Sequence, residues 1–248
     1  MSTIKTCRIL GVNIAVTNMA QTVQYIENNL EELRGKYICV SNVHTTVMAH
    51  DNPAYCNVQN SAAIALPDGK PLSVVSRKRG YTEAERVTGP DLMGELFARE
   101  NGLKHFFYGD KEETLQILQQ KLKEKYPDIQ IAGMISPPFR SLSQEEEKAY
   151  IQQINDSGAD IVWIGLGAPK QENWMYEHQG MLHGVMIGVG AGFSYHAGLI
   201  KRAPEWMQKM SLEWFYRLMQ DPVRLFKRYF TTNLKFMLLE AKDKGEVL

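Results

Sequence analysis

The 248-residue sequence has few cysteines, no long apolar run and no net charge. Its three cysteines, Cys7, Cys39 and Cys56, form no Cys-x-x-Cys pair, which argues against a disulfide framework and a thiolate zinc site. No stretch approaches the roughly 20 apolar residues that cross a bilayer, and the first residues are too polar for a signal peptide. We therefore expect a cytoplasmic location and only peripheral contact with a membrane.

Several chemical signatures are also missing. The chain has no P-loop, no Gly-x-Ser-x-Gly nucleophile elbow, no His-Glu-x-x-His zinc motif and no Asp-x-Asp pair. Its six histidines show no metal-ligand spacing, so we interpret them as structural or exposed. A content of 44% apolar residues with only ten prolines excludes a disordered or collagen-like polymer and predicts a folded core.

The zero net charge conceals an uneven distribution. Residues 1–200 hold 18 Lys and Arg against 22 Asp and Glu, net −4, whereas residues 201–248 hold 10 against 6, net +4. We therefore divide the chain into an α/β domain, 1–200, and a C-terminal helical appendage, 201–248. A weak subdomain boundary near residue 102 is marked by the start of a second βαβ series.

Short β-branched or aromatic runs alternate with longer amphipathic stretches, which is the rhythm of a mainly parallel sheet. The predicted strands are Arg8–Asn13, Tyr37–Ser41, Ala63–Leu66, His105–Tyr108, Ile129–Met134, Ile161–Leu166 and Val185–Val189. Helix caps are predicted at Asp110 and at Ser143, and first-turn prolines at Pro90 and Pro169. The fold class is α/β, a Rossmann-like sheet flanked by helices with a basic, aromatic helical appendage.

Polar side chains follow two apolar strands, at the carboxyl edge where a parallel sheet opens its ligand crevice. Asn42 and Thr45 follow one strand, and Asp68 follows the next. A carboxylate in that place can act as a general base, because partial burial raises its pKa. The alternative is an ordinary turn capped by Ser41 or Asn42, and an Asp-Gly turn or helix cap at Asp68.

Two glycine turns follow the last two predicted strands. Gly165-Leu-Gly167 leads into a helix near Lys170, and its backbone N–H groups with the positive helix end can cradle a diphosphate. The Gly188-Val-Gly190-Ala-Gly turn has Phe193 where a dinucleotide fingerprint has its third glycine, which disfavours NAD.

The segment Lys201–Lys235 holds eight basic and three acidic residues with aromatic residues between them. Glu205, Lys209, Glu213, Arg217 and Asp221 alternate in sign at spacings of four, which predicts a ladder of ion pairs on one helix face. Met207 belongs to the opposite face, and Pro222 begins a second helix. Three interpretations remain open: a salt-bridged helical pair or oligomer interface, a membrane-surface anchor, and a phosphate-binding lid. Nucleic acid is not expected, because the remainder of the chain is acidic.

Six ordered motifs resemble the bacterial WecG/TagA/CpsF glycosyltransferase family over almost the whole chain. They are Asn42–His44, Leu66–Gly69, Glu85–Asp91, Gly165–Glu172, Gly188–Phe193 and the appendage motifs between Arg202 and Arg224. The resemblance implies an inverting hexosyltransferase or N-acetylhexosaminyltransferase with a UDP-sugar donor and a polyprenyl-diphosphate-linked saccharide acceptor. Such an enzyme would serve capsule, teichoic acid or exopolysaccharide synthesis at the inner face of the cell membrane.

The resemblance makes Asp68 the catalytic base. The motifs and the resemblance together give the predicted substrate-binding residues: Asn42, Thr45, Arg86, Gly167, Lys170, Gln171, Gly190, Arg217, Arg224 and Arg228. The three arginines of the appendage are implied to close over the active site at the membrane. The chain departs from the family pattern at Val40, where Thr is common, and at Ser194, where Asp is common. Either departure can signal a donor such as UDP-glucose or UDP-galactose in place of UDP-N-acetylmannosamine.

The chemistry agrees with these assignments. An acceptor hydroxyl is a poor nucleophile, so a carboxylate must take its proton, and the departing UDP develops negative charge. Without an Asp-x-Asp pair to hold Mg²⁺, helix N-termini and arginines must stabilise that charge, so we expect no metal cofactor. Two other classes remain, a nucleotide-binding oxidoreductase and a non-catalytic membrane scaffold, and homo-oligomerisation stays open.

Overall fold

A computed structural model of the protein describes residues 4–99, 101–204, 206–207, 213–220 and 222–243. The described strands are β1 (Thr6–Ile9), β2 (Val12–Ala15), β3 (Tyr37–Ser41), β4 (Ile64–Pro67), β5 (Lys104–Gly109), β6 (Gln130–Ile135), β7 (Ile161–Gly165) and β8 (Val185–Gly188). They form one sheet in the order β1-β2-β4-β3-β8-β7-β5-β6. The pairing is parallel except for the antiparallel β1–β2 hairpin at one edge.

Helices cover both faces of this sheet. The described helices are α1 (Met19–Asn28), α2 (Leu30–Leu33), α3 (Val43–Asp51), α4 (Pro53–Asn60), α5 (Lys70–Lys78), α6 (Gly89–Phe97), α7 (Glu112–Lys125), α8 (Gln144–Asp156), α9 (Lys170–Glu177), α10 (Gly192–His196), α11 (Glu213–Gln220) and α12 (Pro222–Glu240). The buried apolar side chains form two clusters, and alternate residues of the central strands belong to different clusters. The predicted Rossmann-like α/β class is therefore confirmed.

The central strands are buried on both faces, which is why apolar runs in the sequence predicted them. Every residue of β3 and of β8 is buried, as a parallel strand covered by helices on both faces requires. Tyr37–Ser41 was predicted with its observed bounds, and five other predicted strands lie within one residue of theirs. The sheet is continuous on both sides of residue 102, because β5 pairs with β7 and β7 with β8. The division into domains stays an interpretation.

The predicted strand Arg8–Asn13 is wrong. The structure has a hairpin there, with Leu10 and Gly11 forming the turn at φ values of 48° and 91°. Both belong to the left-handed region that two-residue hairpin turns require, which glycine adopts readily and leucine rarely does. Because the turn contains an apolar leucine, the sequence pattern predicted one strand where the structure has two short ones.

Of the two predicted helix caps, the one at Ser143 is confirmed and the one at Asp110 is wrong. Ser143 and Glu146 form the predicted capping box at the start of α8. Asp110 does not cap α7, because Lys111 occupies the cap position and no side chain there accepts a hydrogen bond from the helix. Asp110 instead has a φ of 57° and accepts a hydrogen bond from Ser194.

The last helix packs against the α/β body. Phe236 is buried, and the Lys235 Nζ lies 2.6 Å from a carboxylate oxygen of Asp51, at the end of α3. Beyond α12, Asp243 accepts a hydrogen bond from the Leu10 backbone N–H and pairs with Arg79. The end of the chain thus touches both the N-terminal hairpin and the end of α5.

The predicted ion-pair ladder is only partly visible. Glu205, Lys209 and Asp221 lie outside the described residues. Glu213 begins α11 but pairs with Arg86 and Arg202. Met207, which we predicted to lie on the face opposite this ladder, is buried. Among the described residues, no helix is long and apolar enough to cross a bilayer.

Candidate active site

The loops that carry most of the predicted site residues lie along the carboxyl edge of the sheet. Asp68 follows β4, Asn42 follows β3, Gly190 follows β8 and Gly167 follows β7. Neighbouring strands lie about 4.8 Å apart, so the three steps from β4 to β7 span roughly 14 Å. Asp68 and the glycine turns therefore lie along the same crevice, toward different ends of it.

The turn after β3 is built around Asn42. Its Oδ1 accepts hydrogen bonds from the backbone N–H groups of His44 and Thr45, at 3.0 and 3.2 Å. The Thr45 hydroxyl in turn accepts from the Asn42 N–H at 2.9 Å, which completes a capping box. Thr45 is 1% exposed and therefore supports the turn from below instead of lining the crevice, contrary to its predicted contact with substrate. The alternative of an ordinary capped turn describes the Asn42 side chain correctly.

Asp68 lies where β4 ends and before α5 begins. Its backbone N–H donates to the Ser41 carbonyl at 2.7 Å, which continues the β3–β4 pairing by one residue. Gly69 follows with a φ of 97°, a value that suits glycine, and the chain then enters α5 at Lys70. The Asp68 side chain is partly exposed, so the carboxylate stands at the crevice on a backbone that both strands hold.

Arg86 belongs to a four-membered charged cluster beside the end of β4. The next residue, Val87, donates its N–H to the Pro67 carbonyl at 2.9 Å, which fixes this segment against the strand. Arg86 lies 2.7 Å from a carboxylate oxygen of Glu213 and 3.9 Å from one of Asp91. The cluster therefore joins the predicted pocket to the appendage.

Arg202 completes the cluster. It pairs with both oxygens of Asp91 and lies 3.5 Å from Glu213. Burial would raise the pKa of Asp91, but hydrogen bonds from Arg202 and Thr88 and the nearby Arg86 charge hold that pKa below its usual value. Asp91 is therefore a structural anion that orients two arginines.

The two glycine turns are joined by one side chain. Gln171 is 4% exposed, and its Oε1 accepts from the Gly167 N–H at 3.2 Å and from the Gly190 N–H at 3.0 Å. We expected these N–H groups to face a diphosphate, and the structure shows them donating to an amide instead. Gly167 has a φ of 77° and Gly190 a φ of 53°, so both turns use the backbone freedom of glycine.

Glu172 lies next to this amide, and sequence reasoning gave it no role. It is 1% exposed, and its Oε1 accepts a hydrogen bond from the Gln171 Nε2 at 2.8 Å. Burial raises the pKa of Glu172, although the hydrogen bond from Gln171 acts in the opposite direction. A carboxyl group on the inward face of α9 is a signal that helix periodicity could have provided, since Trp174 and Met175 mark that face as buried.

Close packing leaves no room for a side chain at Gly165 and Gly109, where strands β7 and β5 end. A methyl group on Gly165 would lie 2.7 Å from the ring of Phe193, which is fully buried. A methyl group on Gly109 would lie 2.6 Å from the backbone of Gly165. The turns after β5, β7 and β8 therefore fit one another without space for a side chain at these two positions.

Asp110 is a second site residue that sequence reasoning placed wrongly. It follows β5, its N–H donates to the Gly165 carbonyl at 3.2 Å, and its Oδ2 accepts from the Ser194 hydroxyl at 3.0 Å. Ser194 stands where the family pattern has a carboxylate, so in this chain an acidic group from β5 reaches the same place. The other departure, Val40, is buried within β3.

The remaining predicted residues differ in how much the structure describes. Lys170 begins α9 and is exposed, with Pro169 at the preceding cap position instead of the first turn. Arg217 lies in α11, and Arg224 and Arg228 lie in α12, but their side chains are outside the described part of the chain. Their contact with substrate stays a prediction.

Three histidines have structural roles. The His105 Nδ1 accepts from the Trp163 indole at 3.2 Å, and burial lowers the pKa of His105 to about 4. His178 contacts the Trp174 carbonyl, and His196 contacts the Pro90 carbonyl. Over the ranges that the structure describes, no group of three or more His, Cys, Asp or Glu side chains is arranged to hold a metal ion.

Comparison with known proteins shows which family the sequence belongs to. The chain is 30% identical over 232 residues, 92% of its length and 88% of the relative's, to the N-acetylglucosaminyldiphosphoundecaprenol N-acetyl-beta-D-mannosaminyltransferase of Bacillus subtilis (strain 168). The protein with the same name in Staphylococcus aureus (strain MW2) is 29% identical over 241 residues, 95% of this chain and 93% of the relative. A family model, glycosyl transferase WecG/TagA/CpsF, matches residues 7–246. The chain therefore belongs to the WecG/TagA/CpsF glycosyl transferase family.

Proposed function

We propose that this protein is an inverting transferase that moves a hexose or N-acetylhexosamine from a UDP-sugar to a polyprenyl-diphosphate-linked saccharide. One observation carries the proposal: a partly exposed carboxylate, Asp68, stands on the same sheet edge as two glycine turns about 14 Å away. An extended nucleotide sugar can lie along that edge, with its diphosphate beside the glycine turns at the start of α9 and its sugar directed toward Asp68.

Asp68 acts as the general base in this proposal. It removes the proton of the acceptor hydroxyl while that oxygen attacks C1 of the donor sugar, and the bond from C1 to the UDP oxygen breaks. The attack comes from the face opposite the leaving group, so the configuration at C1 inverts. A single carboxylate is sufficient, because no covalent sugar–enzyme intermediate is formed.

Cationic groups stabilise the departing diphosphate. Arg86 is held at the end of β4 by Glu213 and Asp91, and Lys170 is exposed at the start of α9. Arginine suits this role because its planar fork of N–H groups matches two phosphate oxygens at once. We propose that Arg217, Arg224 and Arg228 add to this charge and that turnover needs no metal ion. Undiminished turnover with a chelator present would support that part, and loss of turnover restored by Mg²⁺ would contradict it.

The acceptor assignment rests on the relatives. Their names specify an N-acetylglucosaminyldiphosphoundecaprenol acceptor and the transfer of an N-acetyl-beta-D-mannosaminyl group. We propose a lipid-linked saccharide of the same class for this chain, in capsule, teichoic acid or exopolysaccharide synthesis. We leave the donor sugar open, because the chain departs from the family pattern at Val40 and Ser194.

The test is a donor panel with a synthetic polyprenyl-diphosphate N-acetylglucosamine acceptor. UDP-N-acetylmannosamine, UDP-N-acetylglucosamine, UDP-glucose and UDP-galactose are supplied in turn, and the lipid-linked product is identified by mass spectrometry. One donor should give a product larger by one sugar residue. The proposal fails if no donor gives product and NAD, but not UDP, raises the thermal midpoint, since only a true ligand stabilises the native state.

An apolar strip on the appendage is the proposed membrane contact. Leu234, Met237 and Leu238 of α12 are 44%, 60% and 58% exposed, and Trp206 is 58% exposed. Spacings of three and four residues place the three α12 side chains on one helix face. The appendage also carries a net charge of +4, which suits an anionic bilayer at the cytoplasmic face.

The membrane proposal is tested with a triple variant that keeps the body intact. Replacing Leu234, Met237 and Leu238 by Gln should abolish sedimentation with anionic vesicles, whereas wild type should sediment with them and not with neutral ones. Deletion of residues 201–248 is a poorer test, because it would uncover the packing sites of Phe236 and Met207. Unchanged vesicle binding contradicts the proposal. So does a wild-type dimer that the triple variant makes monomeric, because the strip would then bind a second copy.

A further inference from the structure

Two polar side chains point into the core at the start of α9. Gln171 is 4% exposed and Glu172 is 1% exposed. Neither is needed for proton removal or for charge neutralisation in the mechanism above. Burying a polar group costs free energy unless the group forms hydrogen bonds. Two consecutive buried polar residues are therefore expected to hydrogen-bond with neighbouring segments of the chain and to hold those segments in place.

The Gln171 amide has one orientation that satisfies its contacts. Its Oε1 receives two N–H groups, from Gly167 after β7 and from Gly190 after β8. If the amide were turned over, its NH₂ group would face those two donors and three hydrogen bonds would be lost. Glu172 selects the observed orientation, because its Oε1 accepts from the Gln171 Nε2 at 2.8 Å.

A chain of buried polar side chains runs from β3 toward Glu172. The Ser41 hydroxyl donates to Gln59 at 2.5 Å, and the Gln59 amide donates to the Tyr55 hydroxyl at 2.9 Å. Burial and the nearby Glu172 carboxylate raise the pKa of Tyr55, which places Glu172 next to the end of this chain. All of these side chains are buried, and Ser41 is the residue before the Asn42 turn. Buried polar groups therefore lie beneath the crevice between β3 and α9.

We propose that Glu172 is a positioning residue that fixes the two donor-side glycine turns by holding the Gln171 amide between them. This inference rests on the proposed function, because that function makes the glycine turns the donor side. Loss of the Glu172 acceptor would release the amide, and the Gly167 and Gly190 N–H groups would lose their common partner. The donor would then bind to turns that are no longer held together.

The experiment compares two substitutions of Glu172 with a control on the same helix. Glu172→Gln keeps an oxygen that can accept from Gln171, whereas Glu172→Leu removes it at similar volume. Glu177→Gln changes an exposed carboxylate of α9 and controls for altered helix charge. The backbone amide signals of Gly167 and Gly190 are followed by nuclear magnetic resonance, and KM and kcat are measured for the donor identified by the panel.

Glu172→Leu should shift both glycine signals and raise the KM for the donor about tenfold, a loss of about 1.4 kcal/mol, with kcat changed less than about twofold. Glu172→Gln and Glu177→Gln should resemble wild type in all of these measurements. Wild-type glycine signals and KM in folded Glu172→Leu would overturn the proposal. So would Glu172→Gln behaving like Glu172→Leu, because the charge and not the acceptor would then matter.

The glycine signals separate this inference from the proposed function. If wild type uses no UDP-sugar, the proposed function fails, but displacement of both signals in Glu172→Leu still supports the structural link. If wild type is active and the signals do not move, the positioning role alone is wrong. A general loss of folding in Glu172→Leu would appear as displacement of signals far from α9. Glu172→Asp, whose shorter side chain withdraws the acceptor, then provides the same comparison, with both glycine signals again expected to move.

Discussion

The two sides of the crevice present different groups, side chains on one side and mainly backbone on the other. The side formed by β3 and β4 presents side chains, with Asp68 partly exposed and Arg86 held in a cluster of charges. The side formed by β7 and β8 presents backbone, with its carboxyl, Glu172, buried beneath the turns. The first side supplies the proposed proton acceptor, and the second supplies closely fitted backbone turns with one exposed cation, Lys170. Substitutions on the two sides should therefore fail in different ways.

The largest expected effect is on the side-chain side. Asp68→Asn keeps the size of the side chain but removes the proton acceptor, so kcat should fall by about 10²–10⁴-fold. The KM for the donor should change less than about twofold, because Asp68 contacts the acceptor hydroxyl and not the diphosphate in the proposed mechanism. Steady-state kinetics with the synthetic acceptor measures both, and near wild-type kcat would exclude Asp68 as the base.

Substitutions on the side of the glycine turns should lower the stability of the fold. Gly165→Ala would place a methyl group 2.7 Å from the ring of Phe193, and overpacking of this kind costs about 1–3 kcal/mol. For a chain of this size the thermal midpoint should fall by roughly 2–12 °C. Gly94→Ala is the matched control, because its nearest contact is the Tyr126 hydroxyl at 3.3 Å. Equal midpoints for the two variants would show that the turns are not tightly packed.

Substitutions that break the ion pairs between the α/β domain and the appendage should lower stability by a smaller amount. Glu213→Gln removes the charge that pairs with Arg86 and Arg202 and should lower the free energy of unfolding by about 1 kcal/mol. Because the Glu213 side chain is only 16% exposed, the loss should persist in part at about 1 M salt. Lys235→Gln breaks a pair that is nearly half exposed and should cost less than about 0.5 kcal/mol. Denaturant unfolding of both variants measures the difference.

The smallest expected effect is a pH-dependent one at Glu172. A carboxyl whose pKa is raised on folding binds a proton more tightly in the folded state, so its contribution to stability declines as pH rises above the usual value near 4.5. The titratable groups facing it are the Tyr55 hydroxyl and the Cys39 thiol. Glu172→Gln removes this decline, so its gain in thermal midpoint over wild type should be larger at about pH 8 than at about pH 5.

His105 provides the internal reference for that measurement. Burial lowers the pKa of His105 to about 4, so the folded state resists protonation where the unfolded chain accepts it. Stability is therefore lost as the pH falls from about 6.5 toward 4 in wild type and variant alike. Taking the difference between the two proteins cancels this effect. A constant difference across pH would contradict the assignment for Glu172.

Much of the sheet was predictable from sequence because its signal is local. Tyr37–Ser41 and Ile161–Leu166 are apolar on both faces, and each is followed by a turn with polar or glycine residues. The Ser143 cap was predictable because its partner, Glu146, lies three residues away. The failure at Leu10 is also local, since an apolar residue at positive φ contradicts the usual turn pattern.

The candidate site was predictable to a smaller extent. Strand ends located Asp68 and Gly167, because the carboxyl edge of a parallel sheet gathers its ligand groups. The pairing of Arg86 with Glu213 joins residues 127 positions apart, and that of Asp110 with Ser194 joins residues 84 apart. No local pattern encodes such distances, because they depend on how the finished elements pack.

The contact between Asp243 and the Leu10 N–H joins residues 233 positions apart. The β1–β2 hairpin consequently lacks this partner until residue 243 has been synthesised. Contacts of such long sequence separation form slowly, because a large loop must close first. In a chain shortened before residue 243, the hairpin loses this hydrogen bond and Arg79 loses its ion pair with Asp243. The two ends of the described fold thus stabilise each other.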